Sequence, residues 1–551
     1  MATTLARPPC VALVLGGMGA AWMAHPATAN AAVMARWIQM GPGSTATALA
    51  AGQYGDQPTS KVPTILARAI IDGGACPALI VDGHLSIPMM KRFDASTLTT
   101  GLNSSSRFTD YPDYFVSASA SAGNFGNGDP IATTAWTECE AVVPAGHTMA
   151  RIAGFPLKLP VANPKRIVVI ADTGCRLNSG APSSGPMDSV HAIGGAQQNC
   201  HDPAAFPFQN LARQAARHKP DLILHLGDYF YRDSGCYKDG REFVPGCSDP
   251  SLQNYEPWGD TIDSWNADLF QPGKALFLSA PWVMVRGNHE TCGRGAHGWF
   301  AFLEPRPYVF TQMNCAKGTG ATANNSVTGS AVYSADFTPT YMIPAGLTNL
   351  LVHDSSFASD ASVDTKMAIN FDYDLTALLA TLPSRSHNLF VTHKPTYGMM
   401  AGATTNAGNF TEQFLFAGSA TSGSAFANGI SAKITMFLSG HIHQFQYLNF
   451  SDSIRYAPQM IVGVSGDNLD ARIDPAGSPY YAYSNQMFTV HNTASTTTTT
   501  QMANAFSQTL FGFAVLDATP TGYTAGIYTS TGTRAGWCTI TLSPRNIACW
   551  K

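Results

Sequence analysis

Charge is scarce in this chain. Lys, Arg, Asp and Glu together make up 12% of 551 residues, and the formal net charge is -4. No cluster of Lys or Arg is placed to follow a phosphate backbone, so nucleic acid is not an expected partner. Past the first 29 residues no apolar run is long enough to cross a bilayer, which removes a membrane-spanning reading of the body of the chain. No C-x-x-C pair occurs, so zinc held by paired thiolates is not expected. No internal repeat is found, which argues against a repeat array.

What is present is ample core. Hydrophobic residues are 45% of the chain, enough at this length for two or three globular domains. Residues 1–29 carry a thin positive start at Arg7, an apolar stretch from Val11 to Ala24, and Ala27-Thr28-Ala29 as a small-residue cleavage site. That is the pattern of a secretory signal peptide, with a secreted or periplasmic mature chain beginning near Asn30. Of the eleven cysteines Cys10 falls in this peptide, leaving ten, an even number that suits disulfides in an exported protein. Pairing neighbours would give 76/139, 175/200, 236/247, 292/315 and 538/549. Asn103, Asn324, Asn409 and Asn449 head N-x-S/T sequons, which matter only in a glycosylating host.

Three stretches divide the mature chain. Residues 30–160 alternate short apolar runs with Gly, Ser, Asn and Asp breaks and read as a smaller β-rich domain. Residues 155 to 166, FPLKLPVANPKR, read as a linker or edge strand. From 161 to 551 the rhythm is α/β: KRIVVIAD is a strand, residues 202–220 carry a helix expected to be capped by Asp202 with Pro203 first inside, and DLILHLGD is the next strand. Further strands are expected at PWVMVRGN, NLLVHDSS, HNLFVTH, ITMFLSGH and QMIVGVSG, with FDYDLTALLATL as an intervening helix. The segments 400 to 430 and 484 to 507, with TASTTTTT, read as long surface loops. The run from Phe511 to Leu542 alternates like antiparallel strands that close a sheet.

Each α/β strand ends in a polar residue. In open α/β sheets ligands sit beyond the carboxyl ends of the strands, so the tips are worth collecting. They are Asp172 in IADTG, Asp228 and Tyr231 in LGDYFY, Asn288 and His289 in RGNHE, His393 in VTHKP, and His441 and His443 in SGHIH. Carboxylates, a phenol, an amide and imidazoles without thiolates suit iron, manganese or zinc. They exceed what one tetrahedral ion needs and suffice for two, with a carboxylate at Asp228 able to bridge. His225, Arg232, Arg286, Arg294 and Lys394 flank the motifs as weaker substrate-binding candidates, foremost His225 and Arg232. Cys175 and Cys292 are read as disulfide-bonded, and Asp354 as a supporting group or a plain strand end.

In their order these residues resemble the calcineurin-like metallophosphoesterases, most of all the purple acid phosphatases: DTG at 172–174, GDYFY at 227–231 matching GDxxY, GNHE at 287–290, His393, and GHIH at 440–443. The likeness covers roughly residues 165 to 470 and departs from the family's V-x-x-H at Phe390. It implies a layered β-sandwich flanked by helices. It also implies Asp172, Tyr231 and His443 on a first ion, Fe(III), and Asn288, His393 and His441 on a second, Fe(II), Zn or Mn, with Asp228 shared. His289 would lie outside the ligand set, contacting phosphate or protonating the leaving oxygen. The expected activity is hydrolysis of small-molecule phosphate monoesters by water activated at the two ions. A phosphodiesterase or nucleotidase using the same site, and an inactive exported binding protein, are the alternatives.

Overall fold

The computed structural model describes residues 32–44, 57–94, 136–177, 198–232, 237–238, 242–243, 257, 260–291, 294–308, 338–384, 386–400, 407–419, 424–471, 473, 480–484, 487–492 and 497–551. The expected signal peptide, the sequons at Asn103 and Asn324, and Cys236, Cys247, Cys292 and Cys315 lie outside these residues.

Apolar runs with both faces covered make the two sheets. Arg166–Ile170, Leu222–His225 and Trp282–Met284 run parallel in one sheet, and Thr348–Val352, Asn388–Val391, Ile434–Ser439 and Gln459–Val462 run parallel in the other. Ile167, Val169, Leu224 and Val283 meet Leu350, Val352, Leu389, Val391 and Leu438 between the sheets. The alternate residues Val168, Ile170, Ile223 and Met284 face outward, under the helices Phe208–Arg217 and Gln271–Phe277. On the far side Leu351, Phe390 and Phe437 pack under Thr365–Ala380. The result is a helix-sheet-sheet-helix sandwich, and near-continuous Val, Leu and Ile runs are what strands buried on both faces require. Each such side chain contributes about 1.5–3 kcal/mol of transfer free energy.

The first sheet continues well beyond these strands. Gly512–Thr519 pairs antiparallel with Arg166–Ile170 and leads through Gly522–Thr529 and Arg534–Leu542 to the edge strand Arg545–Trp550, so the C-terminal run closes this sheet as its alternation implies. On the opposite side Val33–Gly41 joins Trp282–Met284 through the parallel pair Gln39 and Trp282, followed by Thr64–Ile71, Thr137–Val142 and Met90–Asp94. The described residues between 32 and 160 are therefore β-rich, and their longest strands are hydrogen-bonded into this first sheet. A small sheet of Leu85–Pro88, Ala78–Val81, Met149–Ile152 and Phe155–Lys158 sits beside it, with FPLK as its edge strand.

Three local expectations are corrected. The helix after Asp202 starts at Phe208, because Pro207 has no N–H and cannot sit inside a helix; Asp202 instead caps a turn through Ala204 N–H (2.8 Å). The threonine run is strand: Thr497–Gln508 pairs with Phe445–Phe450, Tyr480–Ser484 and Met487–His491, since β-branched Thr suits a pleated sheet better than a loop. Asn409 and Asn449 are buried. Asn409 caps the helix Phe410–Phe414, and Asn449 donates to Ile547 O on the edge strand of the other sheet, so neither sequon offers an accessible amide. Three of the neighbour disulfides are formed, Cys76–Cys139, Cys175–Cys200 and Cys538–Cys549.

Candidate metal centre

The parallel strands of both sheets end on the same side, and their polar tips meet. Tyr231 Oη lies 2.8 Å from Asp172 Oδ1, 2.9 Å from Asp228 Oδ2 and 3.0 Å from His443 Nε2. His393 Nε2 lies 3.1 Å from Asp228 Oδ2 and 3.0 Å from Asn288 Oδ1. The His393 and His441 rings are 5.0 Å apart, and Asp228, His393 and His441 each offer a ligand atom within 4.8 Å of the others. All seven residues expected to hold metal thus meet in one cluster, with Asn288 half-buried and the other six buried. His289 joins it, with its ring centroid 3.9 Å from that of Tyr231 and its N–H donating to Asp228 Oδ1 (2.8 Å).

The backbone is bent to aim them. Asp172, Asp228 and His441 are three of the six described non-glycine residues with positive φ, at 56°, 55° and 72°. This conformation is costly for residues with a Cβ and gathers at functional sites. Asp172 N–H donates to Gly227 O and Thr173 N–H to Asp228 O, both at 3.0 Å, which laces the first two loops together. Glu290 fastens the third: its carboxylate accepts from the N–H groups of Asp228, Tyr229, Phe230 and Gly287 at 2.8–3.2 Å. Gly287 is required by the closeness of these loops, because a Cβ there would stand 2.1 Å from Asp228 Oδ1.

Every imidazole of the set has its second nitrogen engaged. His393 Nδ1 bonds Leu226 O (2.8 Å), His443 Nδ1 bonds Asn468 O (2.6 Å) and His441 Nε2 bonds Asp360 Oδ2 (3.0 Å). Donating that proton fixes the tautomer, as metal-bound histidines commonly do. It also creates a conflict that tests the fit to a cation. A neutral His393 would then present an Nε2 lone pair to the oxygens of Asp228 and Asn288, and a neutral His443 would do the same to Tyr231 and Asp172, so without a metal each ring is driven to take a second proton. One phenolic proton cannot serve two carboxylates and an imidazole. Positive charge resolves both clusters, and the donor set fits metal ions.

The protonation preferences point the same way. Burial works to lower His393, but the Asp228 carboxylate outweighs it and raises the ring to about 9. Burial likewise opposes the Asp172 carboxylate at His443, which is raised to about 10. Burial would lift Asp228, yet His393, His289 and His441 together hold its carboxyl well below the usual range. Burial, then Asp172 and Asp228, push the Tyr231 phenol well above its usual value, an effect that an adjacent cation reverses.

The flanking candidates lie elsewhere. His225 is buried beneath the site: Gly227 N–H donates to Nδ1 (3.2 Å), so Nε2–H serves Thr173 Oγ1 (2.8 Å), and the ring stacks on Tyr229 at 3.8 Å. Arg232 is likewise buried, on Asp268 (2.6 Å) and Pro257 O (3.1 Å). These contacts are internal and lend no support to the substrate-binding role expected of either residue. Arg286 braces Glu290 O (2.9 Å) and Asp354 (3.5 Å), which makes Asp354 a supporting group. Lys394 pairs with Asp360 (2.9 Å). Arg294 is half-buried, with its N–H on Thr291 O. Cys175 is bonded to Cys200.

Asp360, Asp467 and Asp470 also support the site, from outside the expected ligand set. Asp470 accepts from His443 N–H (2.7 Å), and Asp467 forms a buried pair with Arg176, whose guanidinium lies 4.8 Å over the Tyr231 ring. Collecting the tip of the strand Gln459–Val462, as at the other five, would have found SGDNLD. Asp360 stands in a Ser- and Ala-rich loop, and nothing in its spacing marks it.

Over residues 165–445 the sequence matches the calcineurin-like phosphoesterase family. The chain belongs to that family. No curated protein matches it. Among solved structures, it is similar to the purple acid phosphatase PPD1 from seeds of yellow lupin (Lupinus luteus), at 13% identity and a TM-score of 0.45, covering 91% of this chain and 73% of that one. GAP50, the anchor in the inner membrane complex of Plasmodium, is similar at 11% identity and 0.31, covering 69% and 89%. PhoD is similar at 10% and 0.42, covering 94% and 91%. The tips collected above are thus those of a calcineurin-like phosphoesterase, and the family implies a dinuclear metal site. No helix among the described residues is long and apolar enough to cross a membrane.

Proposed function

We propose that this calcineurin-like phosphoesterase is an exported phosphatase, of the purple acid phosphatase kind, that hydrolyses phosphate monoesters at two metal ions. The carrying observation is the pair of inward imidazole nitrogens, His393 Nε2 and His443 Nε2, each facing oxygen atoms across 3.0–3.3 Å with its other nitrogen already engaged. Asp172, Tyr231 and His443 would hold Fe(III); Asn288, His393 and His441 would hold Fe(II), Zn or Mn; Asp228 would be shared. When bound, such ions acidify water and neutralise phosphate oxygens.

The chain's own residues divide the remaining work. Asp172, Asp228 and Tyr231 supply anionic donors, whereas Asn288 is neutral and leaves its side of the site short of negative charge. His289, held by its backbone N–H on Asp228 and by its ring against Tyr231, is the group placed to pass a proton to the leaving oxygen. Arg176 holds positive charge over the Tyr231 face. We take residues 1–29 as a signal peptide, in keeping with the three disulfides, and residues 30–160 as an extension of the catalytic unit 161–551.

The purified protein tests this by elemental analysis, a visible spectrum, and rates on p-nitrophenyl phosphate and its bis ester. Two ions per chain, a visible band from Tyr231 on ferric iron and faster monoester cleavage are expected. Faster cleavage of the bis ester would make it a phosphodiesterase, and metal-loaded protein with no turnover a binding protein.

A further inference from the structure

We propose that Asp360 is a positioning residue for His441 and that, together with Lys394, it sets the grip of the second metal site independently of the first. The inference rests on the two-ion reading. Asp360 Oδ2 accepts from His441 Nε2 at 3.0 Å and from Lys394 Nζ at 2.9 Å, and Lys394 Nζ also donates to Ala358 O at 2.8 Å. All three side chains are buried. Asp360 Oδ1 takes no hydrogen bond among the described residues, so this carboxylate is held through one oxygen by a ligand and a cation.

Two consequences follow. A neutral imidazole has one N–H and one lone pair, so committing Nε2–H to Asp360 assigns the lone pair to Nδ1 and fixes the ring's rotation. His441 needs such a hold, because its own backbone is strained at φ 72° and gives the ring no low-energy default. Lys394 decides how much of the carboxylate's charge the imidazole feels. With Lys394 in place the load on Oδ2 is divided, and without it His441 alone faces a buried carboxylate and becomes a stronger donor. Among the described residues Asp360 bonds His441 and Lys394, whereas at the first site Asp467 and Asn468 O stand behind His443.

The test is titration of chelator-treated protein with Zn(II) and Mn(II) by calorimetry, with ion content by elemental analysis and the melting temperature of the metal-free protein. Asp360→Ala is expected to weaken the second binding step roughly 10- to 100-fold and leave the first unchanged. Asp360→Asn keeps an oxygen for His441 Nε2 and should restore much of the affinity. Lys394→Gln should tighten the second step. A fold-supporting role alone would lower the metal-free melting temperature and weaken both steps together, and that outcome overturns the proposal. If Asp360→Ala does not fold, Lys394→Gln decides: a tighter second step with the first unchanged supports the proposal, and an unchanged second step overturns it. Wild-type protein that binds one ion or none fails the two-ion reading itself, a result visible before any variant is compared.

Discussion

The phenol side of the site and the imidazole side are built on one plan with different charge. Each has an imidazole from the GHIH turn backed by a buried aspartate, and each aspartate is answered by a cation: Asp467 by Arg176 behind His443, Asp360 by Lys394 behind His441. The phenol side gathers Asp172, Asp228 and Tyr231 within 2.9 Å of one oxygen's reach, whereas the imidazole side has Asp228 and a neutral amide. Coulomb attraction in a buried site rises with every fixed anion, so on the proposed two-ion reading the first half would favour the more highly charged ion. On this comparison the halves should fail separately when one is damaged, and together when the group they share is damaged.

The largest effect is therefore expected at Asp228. Asp228→Asn keeps the shape but removes the shared charge, and elemental analysis should show both ions lost, with turnover at background. Retention of one tightly held ion would mean that the halves do not share this residue. Next comes His289→Ala, which should leave ion content unchanged while turnover falls about 10²- to 10⁴-fold, the scale of a lost general acid. An unchanged rate removes His289 from proton transfer. Complete chelation should then lower the melting temperature, since ions at about 1,000 times their Kd contribute about 4 kcal/mol of stability. Partial chelation should empty the imidazole side first and leave the visible band in place.

Sequence alone exposed much of this arrangement, because the tips of parallel strands are both legible and functional. Buried strands read as plain apolar runs, and a polar residue ending such a run has few reasons to be there. Asp172, Asp228, Tyr231, Asn288, His393, His441 and His443 were all visible on that ground. The supports were not. Asp360 and Asp467 act through partners 81 and 24 to 291 residues away in sequence, and no local pattern encodes such pairings. His225 and Arg232 stand next to motif residues in sequence, yet alternation along the strand and an acid 36 residues on give them inward contacts that no local pattern encodes. The threonine run has the composition of a loop, yet Thr497–Thr500 pair as a hairpin with the neighbouring strand Met487–His491, because β-branched Thr suits a pleated sheet.

The phenol side is also the one that is cross-linked. Cys175–Cys200 closes a loop of 25 residues directly after Asp172 and Thr173, and no described disulfide touches the loop that carries Asp360. Replacing both cysteines by serine should cost about 2–4 kcal/mol in the metal-free protein, read by denaturant titration. Metal affinity should weaken at the phenol side and hold at the imidazole side. The reverse order would break the comparison.

The finest distinction is in pH dependence. Beneath the phenol side the buried acid Asp268 is raised by burial to about 6, with Arg232 opposing the rise. Beneath the imidazole side Glu412 is raised further, to about 8, by burial against its bond from Thr396 Oγ1, with His353 Nε2 3.9 Å from its other oxygen. A carboxyl raised in the folded state keeps a proton that the unfolded chain has already released. Between the unfolded value near 4.5 and about 8 the folded form binds more protons, so this group makes stability fall as pH rises, by at most about 1.4 kcal/mol per pH unit. Glu412→Gln cannot ionise and removes that slope. The difference in unfolding free energy between variant and metal-free wild type should therefore move in the variant's favour from pH 5 to pH 8. A difference that stays level across that window would mean Glu412 is ionised in the folded protein, and that the imidazole side carries a second buried anion besides Asp360.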